Sequence, residues 1–125
     1  EDAGPVDTAL REAEEEIGLH RRHVVEIAGF LDLYQTVTGF LITPVVGFVT
    51  PPFELALDDF EVAEAFEVPL EFILDPRNHE NRSMLYKGQQ RRYYVIPYEN
   101  RFIWGATAAM LVNFARRLIE HPLLT

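Results

Sequence analysis

Apolar side chains recur along this chain at two periods, and the changes of period mark its elements. Between Asp7 and Ile17 the spacing is helical: Leu10, Ala13 and Ile17 fall on one stripe, with Val6 beside it. That pattern predicts an amphipathic helix, capped by Asp7 or Thr8 and stopped by Gly18. Residues 24–31 are rich in β-branched residues and predict a strand, followed by a less regular connection over 32–39. Residues 40–49 are mostly apolar and read as a buried strand with an irregularity at Pro44, which cannot donate to a sheet ladder. Thr50, Pro51 and Pro52 break the chain, and 53–59 predicts an exposed loop. In the next stretch Val62, Phe66 and Val68 point toward a core with imperfect spacing, before a short helix over 69–74 that Asp75-Pro76 ends. Residues 83–87 and 91–98 read as a hairpin around Gly88-Gln89-Gln90, and Glu99-Asn100-Arg101 as a second turn. Trp104, Ala108, Leu111, Val112, Ala115, Leu118 and Ile119 return to helical spacing, so a last helix should pack on a sheet with Trp104 as a packing anchor.

Composition narrows the class. A chain of 125 residues that is 48% hydrophobic is long enough for one domain with a core. No run approaches the ~18 apolar residues of a membrane helix, and neither a signal peptide nor a terminal Ser-Lys-Leu address is visible. The absence of cysteine excludes disulfides and thiolate metal sites and fits a cytoplasmic setting. The net charge of -9 is concentrated at the start, where Glu1, Asp2, Asp7, Glu12, Glu14, Glu15 and Glu16 face Arg11 alone. Such a balance disfavours nucleic acid and anionic membranes as partners.

The concentrated acid carries the candidate chemistry. Residues three and four apart on a helix are neighbours, so Glu12, Glu15 and Glu16 share the face opposite the apolar stripe. Their mutual repulsion is relieved by a hard divalent cation, which prefers oxygen ligands. The run Arg11-Glu12-Ala13-Glu14-Glu15-Glu16-Ile17-Gly18-Leu19 resembles the end of the Nudix box, Arg-Glu-apolar-x-Glu-Glu-x-Gly-apolar, at every specified position. The glycines that open that box would lie upstream of Glu1, and the family's earlier glutamate falls on Ala3. Asp2 with Thr8-Ala9-Leu10-Arg11-Glu12-Ala13, the turn Thr38-Gly39-Phe40, the phrase Ile42-Thr43-Pro44-Val45-Val46-Gly47 and Ile103-Trp104-Gly105-Ala106-Thr107-Ala108 resemble the coenzyme A diphosphatase branch.

The resemblance implies an α/β/α Nudix sandwich with a mixed sheet between helices. It places this chain in the C-terminal portion of a single domain whose upstream strands lie outside residues 1–125. A sheet lacking those strands would expose a pairing edge and call for a partner chain, a homodimer being one outcome. The implied activity is metal-dependent hydrolysis of a small-molecule nucleotide diphosphate, with Mg²⁺ or Mn²⁺ as cofactor. By resemblance Glu15 and Glu16 are the principal ligands, Glu12 is a ligand or helps activate water, and Arg11 orients a glutamate. In the coenzyme A branch the products are 4′-phosphopantetheine and adenosine 3′,5′-bisphosphate. ADP-ribose or another nucleoside diphosphate derivative is the alternative substrate, and a non-catalytic nucleotide-binding module the alternative class. Nudix hydrolases also carry a glutamate-rich strand before an apolar-Pro-Leu step, here 61–70, from which Glu64 or Glu67 would supply an extra ligand or base. Thr38, Gly39 and Phe40 are candidates for holding substrate, and turn chemistry also explains Gly39. Outside the resemblance, His20 and His23 make an incomplete metal pair, His79 a lone loop base, and Lys87, Arg91 and Arg92 beside Tyr93 and Tyr94 a basic-aromatic cluster suited to a phosphate or a base.

Overall fold

The computed structural model describes residues 4–60 and 62–120. Asp2 and Ala3 of the opening motif, Glu61 and the terminal 121–125 lie outside the described residues. The protein is α/β, built of helices and antiparallel sheets. It forms two compact units, Glu1–Phe30 with Thr43–Glu67, and Leu31–Ile42 with Val68–Thr125.

The first unit opens with α1, Pro5–Ile17. The helix begins earlier than its polar residues predict. Pro5 occupies the first turn, where no amide donor is needed and its fixed φ is already helical. Leu10, Ala13 and Ile17 are half-buried, and no residue of α1 is fully buried. A single 3₁₀ turn, Arg21–His23, leads into β1, Val24–Phe30, which pairs antiparallel with β4, Val45–Val49.

The apolar stretch 40–49 is not one buried strand. Thr43-Pro44 divides it into β3, Leu41–Ile42, and β4, because proline lacks the amide that would continue the ladder. β3 pairs instead with β2, Tyr34–Gln35. Phe40 and Leu41 stand 72% and 68% exposed, so the expected burial is corrected. The glutamate-rich strand is corrected as well: residues 62–69 are irregular, with no strand partner among the described residues.

The second unit holds the principal core. The short helix α2, Leu70–Leu74, follows Pro69 as predicted, and a 3₁₀ turn over Pro76–Asn78 succeeds it. A three-stranded sheet of β5, Glu80–Tyr86, β6, Gln89–Tyr98, and β7, Arg101–Trp104, runs into α3, Gly105–Glu120. The β5–β6 hairpin closes at Lys87-Gly88 rather than at Gly88-Gln89-Gln90. Both turn residues have positive φ, 50° and 78°, the backbone a two-residue loop between right-twisted strands requires. One sheet face carries Tyr94, Ile96 and Ile103 toward α3, where Ile96 and Ala108 are wholly enclosed and Ile73 and Val112 complete the cluster. Fully burying Ile96 is worth roughly 1.5–3 kcal/mol. Asp32 ties the segment before β2 to α3: its amide donates to Asn113 Oδ1 at 3.1 Å, and Asn113 Nδ2 and Arg117 return bonds to its carboxylate.

The end of α2 is closed by side chains. Asn78 Nδ2 donates to the Phe72 carbonyl at 2.9 Å, and His79 Nε2 donates to the Ile73 carbonyl at 2.6 Å. His79 is thus neither a free base nor a solvated loop residue but a cap on carbonyls the helix cannot satisfy itself. Asp75 accepts from the Arg77 guanidinium (Nη2 at 2.7 Å) and from its amide at 2.9 Å. These bonds, the guanidinium first, lower the Asp75 carboxyl from 3.8 to about 2. Because the folded value is the lower one, the carboxylate's contribution to stability is complete above pH 3.8 and is lost as pH falls through about 2. An NMR titration of the side-chain carboxyls should place Asp75 near 2, and Arg77→Ala should return it toward 3.8.

Candidate active-site helix and an aromatic cleft

The acidic face of α1 is laid out as its spacing demands. Glu12 and Glu15 are exposed and Glu16 is half-buried, on successive turns of one helix. Arg11 Nη1 bonds Glu15 Oε1 at 3.0 Å, one helical turn along. The other carboxylates of the helix pair elsewhere: Glu14 with His20 at 3.4 Å and Asp7 with Arg21 at 3.1 Å. Glu12, Glu15 and Glu16 lie together on the face opposite the apolar stripe.

What fixes this helix is its C-terminal end. Gly18 takes a left-handed φ of 74°, and the amides of Gly18 and Leu19 return to the carbonyls of Glu14 and Ala13 at 3.0 and 3.3 Å. Two further carbonyls are taken by another segment: Ala56 N–H donates to Ile17 O and Asp58 N–H to Glu16 O, both at 2.8 Å. The approach is so close that a Cβ on Gly18 would stand 2.6 Å from the Ala56 nitrogen. Glycine is required here twice over, for its dihedral and for its missing side chain. The strap at 56–58 left no signal in the sequence, which reads there as an exposed loop. Beside it lies a cleft of about 840 Å³ whose wall includes Glu14, Gly18, His20, Arg22, Phe53 and Ala56. Glu12, Glu15 and Glu16 are outside that wall.

The donor chemistry of the acidic face suits a hard divalent cation, since all three side chains offer carboxylate oxygens on a solvent-accessible surface. Among the described residues, however, no group of three or more His, Asp or Glu side chains is gathered closely enough to hold a metal by itself. Mg²⁺ commonly takes only one or two carboxylates and completes its shell with water and substrate phosphate. The residues fit such an open half-site, not a closed cage. Glu64 and Glu67 are exposed on the irregular segment that replaces the expected strand. His20 is held by Glu14, and the His23 ring lies 5.8 Å from that of Phe53.

The turn candidates lie in the second unit. The amide of Gly39 donates to Thr36 O and that of Phe40 to Thr36 Oγ1, both at 3.0 Å, while the Thr36 and Thr38 hydroxyls bond each other at 3.1 Å. Gly39, at φ 96°, and Phe40 thus build a turn, and Phe40 points away from any core. Thr38 has a different setting. It lines a largely apolar cleft of about 670 Å³ together with Tyr86, Arg91, Arg92, Tyr93 and Trp104. Trp104 is not the packing anchor its spacing predicts. It ends β7 opposite Val95, on the sheet face turned away from α3, and is 61% exposed with its ring edge-on to Tyr93 at 6.3 Å. A strand reading of 101–104, with its period of two, would have separated Trp104 from the helical stripe.

Comparison with known proteins adds a family. The chain is 34% identical over 121 residues to the uncharacterised Nudix hydrolase NudL of Pectobacterium atrosepticum, covering 97% of this chain and 62% of that protein. The NudL of Photorhabdus laumondii is 36% identical over 117 residues, with 94% and 62% covered, and that of Escherichia coli 34% over 121 residues, with 97% and 62% covered. The chain thus spans about 62% of the length of these curated relatives. No protein-family model matches it.

The close approach at Gly18 generates a direct test. Gly18→Ala should destabilise the full-length protein by about 2 kcal/mol or more in urea unfolding, combining left-handed backbone strain with the clash at Ala56. Gly88→Ala, at φ 78° with nothing within 4 Å of the added carbon, should cost only the backbone part, about 1 kcal/mol.

Proposed function

Because the chain belongs to the Nudix hydrolase family, we propose that the protein containing it hydrolyses the diphosphate bond of a small-molecule nucleotide derivative, using divalent metal ions at the acidic face of α1. The observation that carries this reading is the arrangement on α1: Glu12, Glu15 and Glu16 exposed or half-buried on one face, with Arg11 on Glu15 and Gly18 fixing the helix end. A diphosphate and three carboxylates repel one another, so substrate and protein need cations between them. The bound metal, Mg²⁺ or Mn²⁺, would supply charge neutralisation and a lowered pKa for the attacking water.

The chain's own residues have distinct parts in this reading. Glu15 and Glu16 would hold the cation, and Glu12 would serve as a further ligand or help activate water. Arg11 keeps Glu15 oriented through its charge-assisted bond. The backbone strap at Ile17 and Glu16 limits how far the ligands move during the reaction. Coenzyme A is the substrate we favour, from the resemblance of 8–19, 38–47 and 103–108 to that branch. Among the described residues no helix is long and apolar enough to cross a membrane. The lack of cysteine in this chain accords with a cytoplasmic location.

The test incubates full-length protein and Mg²⁺ or Mn²⁺ with coenzyme A, ADP-ribose and nucleoside triphosphates. Release of 4′-phosphopantetheine and adenosine 3′,5′-bisphosphate is expected. Cleavage of ADP-ribose with coenzyme A untouched would reject the substrate while keeping the reaction, and binding without cleavage would point to a non-catalytic module. Glu15→Gln should lower turnover at least about 100-fold, about 2.7 kcal/mol of transition-state stabilisation. The exposed Arg11–Glu15 pair it also removes is worth at most about 0.5 kcal/mol, so the melting temperature should barely move. Unchanged turnover would remove Glu15 from the site.

A further inference from the structure

The cleft of the second unit is lined from both faces of one strand. Tyr93 and Trp104 belong to the outer face of the three-stranded sheet, Arg92 and Tyr94 to the face turned toward α3, and Ala106 and Ala109 to α3 itself. Side chains alternate between faces, so both faces share one cavity only where a strand edge is open. The register shows where that edge lies. β5 accompanies β6 from Gln89 to Val95, whereas β7 accompanies it only from Val95 to Tyr98. Among the described residues, 89–94 therefore has a strand on one side alone. The two hairpins fix which peptide groups face the opening. Tyr86 and Gln89 flank the two-residue loop Lys87-Gly88 and form a hydrogen-bonded pair, and such pairs recur at every second residue. Arg91 and Tyr93 thus bond to β5. Tyr98 and Arg101 flank the loop Glu99-Asn100, which makes Tyr98 and Ile96 the residues of β6 that bond to β7. Both hairpins leave the N–H and C=O of Gln90 and Arg92 directed to the open side, and among the described residues neither has a backbone partner there.

We propose that this cleft is a strand-accepting slot, filled in the full-length protein by an extended segment from outside residues 1–125 that pairs with β6 at Gln90 and Arg92. An unpaired edge is a template for another strand, and folded proteins pair or cover it. The space is there: about 670 Å³ lies beside the edge, with 34–38 and the start of α3 as further walls. The walls are also largely apolar on both sides of the strand position. A strand covered on both faces reads as a continuous apolar run, so the segment should be one of about five such residues. It would cover the Trp104 ring, now 61% exposed. A second copy offering its own β6 would bring its equivalent walls against these, so a single strand fits better than the edge of another sheet. Length favours the protein's own chain as the source. The match covers 62% of each of the NudL proteins compared above, so more than a third of their length lies outside it. A segment of the same chain also arrives at high effective concentration, without the cost of a bimolecular encounter.

The test is amide hydrogen exchange by NMR on ligand-free, full-length protein at two concentrations. Arg91 and Tyr93, bonded to β5, are the internal standards, because their protection does not depend on what fills the slot. With a strand in place, Gln90 and Arg92 should exchange within about 10-fold of those standards, and all four at least about 100-fold more slowly than in an unstructured peptide. Backbone nuclear Overhauser contacts to Gln90 and Arg92 should come from residues outside 1–125 of the same molecule. Gln90 and Arg92 exchanging at least about 100-fold faster than Arg91 and Tyr93 would show an open edge and overturn the proposal. Protection that is lost on dilution, or contacts that appear between molecules in a mixed-label sample, would make the occupant a second copy and overturn it too. So would protection whose contacts all arise within residues 1–125. None of these outcomes bears on hydrolysis at α1, which the substrate panel tests separately.

Discussion

The acidic helix depends on the packing of one backbone against another. Two carbonyls near the end of α1 are satisfied by amides of residues 56 and 58, not by solvent or by the helix itself. Helix ends always leave such groups, and most fray into water. Here the strap leaves no room for a side chain at position 18, and glycine also supplies the left-handed turn that lets the chain depart. Glu15 and Glu16 sit within the last turn, beside the two carbonyls that the strap engages. The apolar stripe of the helix is only half-buried, so these backbone hydrogen bonds add to what packing supplies.

The two units differ in what gives them shape. The second has an enclosed cluster around Ile96 and Ala108, so burial and the Asp32–Asn113–Arg117 bonds act together there. The first has no fully buried residue in its helix, and hydrogen bonds between backbone segments carry more of its organisation. Large apolar side chains remain exposed in both, Val25 in the first and Leu41, Leu85, Phe102 and Trp104 in the second. Hydrophobic content alone therefore predicts burial poorly: 48% apolar residues coexist with a small core.

How much of this was legible follows from the range of the interactions. Local rules served well. The helical period between Leu10 and Ile17, Gly18 as a stop, the strand at 24–30, the Pro69 step into α2 and the last helix are all set by neighbours within a few residues. Hairpin ends were displaced because Lys87 adopts a positive φ that its identity does not advertise. The errors lie where a partner decides. Residues 62–69 had strand-like composition but no strand beside them, and 40–49 was divided because its halves pair with different strands. Trp104 fits a helical stripe by number, yet it belongs to β7 and points outward. The acidic triad was readable from spacing, whereas the strap beneath it and the grouping of Thr38 with Arg91 and Trp104 depend on tertiary structure.

Charge is segregated in this chain, and the segregation has a chemical consequence. Carboxylates crowd α1 in one unit, and Lys87, Arg91 and Arg92 lie close together on the β5–β6 hairpin in the other. An anionic ligand meets opposite conditions at the two. On α1 it meets the repulsion of neighbouring carboxylates. At the hairpin it meets positive charge, an attraction that ionic strength screens.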